Sequence, residues 1–258
     1  MKTRELGKTN MEVGIFGFGG LALNKTEQTK ADEMVAEAVE SGVNYFDVSP
    51  NYGNAEQKLG PALEPYRKNV FLACKSSKRE KEEVARELRR SLNILRTDYF
   101  DVYQLHGIDD PGEIETALAP GGALEAIVEA KREGLVKNIG FSCHSPASAI
   151  KLMEEFDFDT ILFPVNWCYW LKNGSGKAVL DIARSKNMGR IAMKSMAHRK
   201  WSEDEEKTYN NCWYKPLYDK RQLATMALKF TLTRPVHVAL SPADARMIKL
   251  GLEILEEI

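Results

Sequence analysis

Asp47, Tyr52, Lys75 and His106 bring a carboxylate, a phenol, an ammonium and an imidazole to the ends of short apolar runs in the first half of the chain. A phenol with a pKa near ~10 is a poor proton donor at neutral pH unless a nearby cation stabilises its phenolate. Lys75 supplies that cation if the two side chains meet. Asp47 then compensates a costly buried ammonium, lowering of the Tyr52 pKa is expected, and His106 has an N–H to offer a substrate oxygen. Singly, each residue has an ordinary structural role. Asp47 caps a turn before Ser49-Pro50-Asn51, Tyr52 anchors a loop, Lys75 is solvated and His106 is a satisfied core imidazole. Their joint placement at consecutive strand ends is what favours chemistry.

Those ends belong to an alternation of a short apolar run and a longer amphipathic stretch that recurs eight times. The strand-like runs cover 13–17, 44–48, 70–74, 100–105, 137–141, 160–164, 190–193 and 236–240 and are rich in β-branched and aromatic residues. Between them, 31–40 carries Met34, Val35, Ala38 and Val39 at helical spacing, and 80–95 carries Val84, Leu88, Leu92 and Leu95 against a charged face. Further helices are expected over 55–63, 122–133, 147–156, 176–186, 219–232 and 243–256. Strands alternating with helices imply a parallel sheet, and eight units in 258 residues predict the α/β class in its (β/α)8 TIM barrel form. Residues 3–6, the turn Gly7-Lys8-Thr9-Asn10 and 12–13 read as an N-terminal β-hairpin closing the barrel bottom. No linker or composition break divides the chain, which reads as a single domain over 1–258. The stretches 107–121 and 195–215 are longer than connections need, and the loops after barrel strands build active sites.

Composition removes several classes of partner. Lys and Arg number 36 against 37 Asp and Glu, which leaves no basic footprint for nucleic acid. The longest apolar runs are strand-sized, so no membrane insertion is expected, and the charged start has no apolar signal segment behind it. Cys74, Cys143, Cys168 and Cys212 are irregularly spaced and the four histidines are scattered, which points to reduced thiols, a cytoplasmic setting and no metal.

Longer blocks carry a resemblance: Gly42-Val43-Asn44-Tyr45-Phe46-Asp47, Tyr52-Gly53-Asn54-Ala55-Glu56, Ala73-Cys74-Lys75, Leu95-Arg96-Thr97-Asp98-Tyr99-Phe100-Asp101-Val102-Tyr103-Gln104-Leu105-His106 and Gly134 through Ser142. Over its first two-thirds the chain resembles the aldo-keto reductases, barrel oxidoreductases that use a nicotinamide cofactor without a Rossmann domain. The resemblance implies that Asp47, Tyr52, Lys75 and His106 form a catalytic tetrad, with Tyr52 the proton donor to the carbonyl of a small-molecule substrate. It also implies that Ser142 binds the nicotinamide carboxamide and that Gly19 and Gly20 line the cofactor.

The last third departs from the family pattern. Leu162 stands where a Gln is frequent, although Asn166 keeps the Asn that follows, and Met193 stands where an aromatic ring commonly stacks on the nicotinamide. Ser241 and Arg246 keep the spacing of NADP-binding members, and a guanidinium suits a 2′-phosphate, while Leu240 replaces the Lys often found before that Ser. NADP is therefore expected, with NADPH preferred over NADH. The chain stops soon after its last helix, which implies a more open pocket than in members with a long C-terminal loop. Gly17-Phe18-Gly19-Gly20-Leu21-Ala22 also fits a Rossmann fingerprint, but the helix-capping residues come later, at Asn24 to Glu27. A Schiff-base aldolase acting through Lys75 leaves Tyr52-Gly53 and the Ser142 block unexplained. An intact tetrad argues against a non-enzymatic nicotinamide-binding sensor or regulatory subunit. Neighbours Cys143 and His144 are expected to point apart, and the aromatics around Trp167 to Trp170 serve as substrate wall or as packing.

Overall fold

The computed structural model describes residues 1–209 and 211–257. Eight parallel strands close into a barrel: β3 (Phe16–Gly19), β4 (Tyr45–Asp47), β5 (Phe71–Ser76), β6 (Phe100–Leu105), β7 (Val136–Ser142), β8 (Thr160–Pro164), β9 (Gly189–Met193) and β12 (Val238–Leu240). Helices α1 (Gln28–Glu40), α2 (Ala55–Leu63), α3 (Lys81–Ile94), α5 (Ala123–Arg132), α6 (Pro146–Glu155), α8 (Ser175–Ser185), α9 (Arg221–Leu232) and α10 (Ala245–Glu256) follow the strands in turn. This is the expected (β/α)8 TIM barrel. Helix starts follow local chemistry: Ser145 caps α6 ahead of Pro146, and Asp244 caps α10. Among the described residues no helix is long and apolar enough to cross a membrane.

Strand alternation decides what faces the barrel axis. Tyr45, Ala73, Val102, Leu162, Ile191, Val238 and Leu240 cluster inside, and two residues further along three neighbouring strands come Asp47, Lys75 and Gln104. A period of two puts these three on the same inner face, one layer nearer the C-terminal mouth. The register pairs Lys75 with Gln104 and Asp47 with Ala73, so β5 and β6 run level while Lys75 stands two residues beyond the partner of Asp47.

The N-terminal hairpin, β1 (Thr3–Glu5) against β2 (Glu12–Gly14), stoppers the other end. Its Leu6, Met11 and Val13 join the interior cluster, with Leu6 0% exposed. Asn44 ties it to the barrel, accepting from Gly14 N–H at 2.7 Å and donating to the Glu12 carbonyl at 2.9 Å. Gly7 has φ +57°, and a Cβ there would collide with the backbone of Met188 and Gly189, so only glycine lets the hairpin turn seat against β9.

Three expectations change. The first apolar run, 13–17, divides at Ile15: its start belongs to the hairpin and the barrel strand begins at Phe16. Lys75, expected just after strand 3, lies within β5, which runs on to Ser76. The two long stretches have structure of their own: α4 (Pro111–Leu118) in the first, and β10 (Ala197–Lys200) paired with β11 (Tyr214–Pro216) in the second. The aromatic run after β8 forms one further short helix, α7 (Trp167–Asn173).

Truncating the stopper tests this packing. Leu6→Ala should lower unfolding free energy in urea by about 2–5 kcal/mol, the range for deleting a buried leucine side chain. A loss below about 1 kcal/mol would show that the hairpin adds nothing to the barrel interior.

Candidate active site

Sequence places Asp47 and Lys75 on adjacent strands, and the barrel makes them an ion pair sealed from water. Lys75 Nζ donates to Asp47 Oδ1, with the residues 0% and 2% exposed. Asp47 Oδ2 takes a second hydrogen bond from Gln104 Nε2 at 3.1 Å. Burial, the largest single influence, would lower the Lys75 pKa, but the charge of Asp47, the nearby Tyr52 and Cys74 and the hydrogen bond to Asp47 together outweigh it and hold the ammonium above its ordinary value. The lysine is a fixed cation.

Tyr52 reaches this cation from the loop after β4. Lys75 Nζ lies 5.3 Å from the centre of the phenol ring, and the His106 ring stands edge-on to it at 5.8 Å and 87°. Burial pushes the Tyr52 pKa up, Lys75 pulls it down and Asp47 adds to the rise, for a net value above the usual 10. The lowering expected from Lys75 has the right sign but is smaller than the desolvation it opposes. The phenol is therefore fully protonated at neutral pH.

His106 follows β6, its N–H bonded to the Ser76 carbonyl. Burial, with Lys75, Arg79 and His144 close by, drives its pKa down to about 3, so the ring is neutral. Its Nδ1 is 3.1 Å from Ser49 Oγ, which already accepts the Asn51 N–H at 3.2 Å. We assign the Ser49 hydroxyl proton to that bond, which leaves the imidazole N–H on Nε2. Neither Ser49 nor Gln104 has a role in the site that sequence alone assigns. Their one signal is spacing, since each lies two residues from a tetrad member, Asp47 and His106.

A cavity of about 150 Å³ opens above the group, lined by Tyr52, His106, Ser142, Leu162, Met193 and Leu240 and running out toward Ser241, Pro242 and Ala243. Gly19 lines it and Gly20 does not. Both are glycine for reasons of packing: a Cβ at Gly19 would meet the Ser241 carbonyl at 2.7 Å, and one at Gly20 the Asp47 carbonyl at 2.8 Å. Ser142 is buried, accepts the Gly107 N–H at 2.9 Å and keeps its O–H free to donate. Ser241 Oγ accepts the Gly19 N–H at 2.9 Å.

Two expected cofactor residues are otherwise engaged. Asn166 lies outside this cavity; its oxygen accepts from Cys168 and Tyr169 and its amide donates to the Lys194 and Ala197 carbonyls, at 2.9–3.3 Å. It staples α7 to the turn after β9 and has no hydrogen-bonding capacity left for a carboxamide. Arg246 is bidentate on Asp244 at 2.8 and 2.9 Å, bonds the Thr208 carbonyl at 3.0 Å and stacks over Tyr209 at 4.1 Å. A 2′-phosphate has to share this guanidinium with a carboxylate. As expected, Cys143 and His144 diverge: Cys143 is buried in the core, while His144 pairs with Asp109 at 3.1 Å. Of the aromatic run, Tyr169 lines an outer cleft and Trp170 packs edge-on to Phe230.

The model of the aldo/keto reductase family matches residues 10–241. The chain belongs to that family. An uncharacterized oxidoreductase of Bacillus subtilis, YqkF, is 33% identical over 160 residues, 57% of this chain and 50% of that one. L-galactose dehydrogenase of Arabidopsis thaliana is 26% identical over 215 residues, 76% of this chain and 66% of that one. The chain thus spans between half and two-thirds of these curated relatives. The holo form of an aldo-keto reductase from Bacillus halodurans superposes with TM-score 0.76 at 26% identity, covering 99% of this chain and 91% of that one. Aldo-keto reductases are oxidoreductases that act on small carbonyl compounds with a nicotinamide cofactor. The cavity suits that group: the free Ser142 hydroxyl matches a carboxamide, and Leu162, Met193 and Leu240 offer apolar contact to a flat ring.

The two aromatic pKa shifts predict the pH profile of carbonyl reduction. For a reduction in which Tyr52 is the acid and His106 a neutral donor, kcat/KM should be flat from about pH 5 to about pH 9 and fall only above about pH 10. An inflection near pH 6.5 would show that the imidazole titrates as in water and would remove the neutral-donor role.

Proposed function

We propose that this chain is an NAD(P)H-dependent reductase of aldehydes or ketones in which Tyr52 protonates the substrate oxygen. The observation that carries the reading is a protonated Tyr52 held at the cavity floor between a permanently charged Lys75 and a neutral His106. The nicotinamide, when bound, supplies the hydride. His106 Nε2–H donates to the carbonyl oxygen and polarises it. As negative charge grows on that oxygen, the Tyr52 O–H transfers its proton there, and Lys75 stabilises the phenolate left behind. Asp47 and Gln104 hold the ammonium in place. Ser142 orients the carboxamide, with Gly19 and Met193 along the cofactor. Four free cysteines accord with a reducing, cytoplasmic setting.

Tyr52→Phe should therefore lower kcat for a reactive aldehyde on the order of 10² or more and leave cofactor affinity nearly unchanged. Parent-like turnover would remove Tyr52 from the reaction. Because Lys75 stays protonated, borohydride treatment with substrate should add no mass at that residue. A trapped adduct there would favour the aldolase reading.

The reading takes NADPH as the preferred cofactor, its 2′-phosphate at Ser241 and Arg246 beside the start of α10. Asp244 opposes that preference, since its carboxylate already occupies the guanidinium. Arg246→Ala should weaken NADPH by about tenfold, and Asp244→Asn, which retains a capping side chain, should tighten it; NADH should change little in both. Fluorescence titration reads each affinity, and equal shifts for the two cofactors would place the phosphate elsewhere.

A further inference from the structure

A second cleft, of about 820 Å³, lies beside the catalytic cavity and shares with it His144, Lys194, Ala197, Trp213 and Tyr214. Its flat walls are Tyr169, Trp201, Trp213 and Tyr214, and Lys172, Lys194, Arg199, Lys200 and Lys207 also line it, with no Asp or Glu among the described residues. Lys194 stands at the junction of the two cavities. It is half-buried, has φ +66° and is fixed there by the Asn166 amide, which bonds the carbonyls of both Lys194 and Ala197. Its ammonium meets the Tyr214 hydroxyl, at 3.2 Å, and the face of that ring, at 4.4 Å. Among the described residues it has no carboxylate partner. Asp109, whose field reaches it, is committed to His144 and to the Ser145 N–H at 2.8 Å. Lys172, Lys200 and Lys207 at the rim likewise form no ion pair among the described residues, whereas the charge of Arg199 is taken up by Glu205. A half-buried ammonium in a strained backbone conformation, next to aromatic walls and free cations, is built to receive an anion.

Resting on the reductase reading above, we infer that this cleft is the subsite for an anionic tail on the substrate. The carbonyl compound has a flat or apolar body ending in a carboxylate or phosphate, with its carbonyl at Tyr52 and its charged end at Lys194 and the rim lysines. The diphosphate of the cofactor is the competing occupant. The cavity that holds the tetrad runs instead to Ser241, Pro242 and Ala243, none of which lines the cleft. Trp213, 62% exposed and edge-on to Tyr52 at 6.3 Å, bridges the two spaces and gains cover from a substrate lying across it.

Matched aldehydes test this with NADPH: benzaldehyde against 4-carboxybenzaldehyde, and glyceraldehyde against glyceraldehyde 3-phosphate. The charged member of at least one pair should have kcat/KM about tenfold or more higher, mainly through KM, with the advantage shrinking as salt rises. The larger ratio identifies the head group as carboxylate or phosphate. Lys194→Gln, and separately the surface pair Lys172→Gln/Lys200→Gln, should each cut that ratio several-fold. Terephthalate, a dicarboxylate that cannot be reduced, should bind in calorimetry, more weakly to Lys194→Gln, and should compete with the aldehyde and not with NADPH. Ratios near one in both pairs, or competition with NADPH alone, overturn the subsite. Binding of terephthalate without turnover of any aldehyde supports the subsite and removes the reductase reading instead.

Discussion

Lys75 and Asp47 set two opposite charges inside a barrel whose next layer down is Ala73, Val102 and Tyr45, and the pair dictates much of what surrounds it. Removing either ion from water costs several kcal/mol, and their attraction offsets this only where geometry is good and the remaining polar atoms are bonded. The barrel meets both conditions. Parallel register across β4, β5 and β6 brings the side chains together, and Gln104 from the third strand takes the spare carboxylate oxygen. A slip of one residue in β5 would turn Lys75 outward and bring Cys74 into the barrel, leaving an unpaired buried carboxylate. Strand register thus constrains the candidate site as well as the fold.

Electrostatics then separate the roles of the two aromatic groups. The same cation that favours a Tyr52 phenolate disfavours an imidazolium at His106, so one buried charge makes the phenol a better acid and keeps the histidine a neutral donor. The Ser49 hydroxyl completes this by occupying Nδ1. These parts come from strand ends and the residues next to them, where the barrel leaves little freedom. The surrounding walls come from longer connections, and there the structure adds α4, α7 and the β10–β11 pair.

What was legible in the sequence follows the same division. Short apolar runs such as 100–105 and 160–164 coincide with β6 and β8, and the tetrad positions converge because neighbouring strands must lie side by side. What the sequence leaves hidden has a common physical source, which is that a side chain's type says nothing about the partner that reaches it through tertiary structure. Arg246 reads as free for a phosphate until Asp244 and the Thr208 carbonyl are seen on it, and Asn166 reads as free for the cofactor until its amide meets a turn 28 residues downstream. Gly19 and Gly20 read as a cofactor cradle, and the close approach of the Ser241 and Asp47 carbonyls adds a packing reason for glycine that the sequence does not show. Gln104 and Ser49 carry no signal in the sequence beyond their spacing, because an amide and a hydroxyl acquire meaning only from the charged or ring groups that they touch.

The staple at Asn166 shows how scaffold and site are coupled. By spending its whole hydrogen-bonding capacity on α7 and on the turn after β9, it fixes Lys194 in a left-handed conformation that an L side chain rarely adopts. That turn has to bend sharply, because the strand ends at Met193 against the catalytic cavity while the chain must continue directly into β10, which walls the outer cleft. A residue at this bend inevitably faces both spaces. Lysine there carries a charge to the boundary between an apolar cavity, where any loose ion would disturb the Asp47–Lys75 pair, and an open cleft, where water and mobile anions can reach it. The strain and the charge occur at the same residue because that bend is where the path of the chain and the boundary between the two cavities coincide.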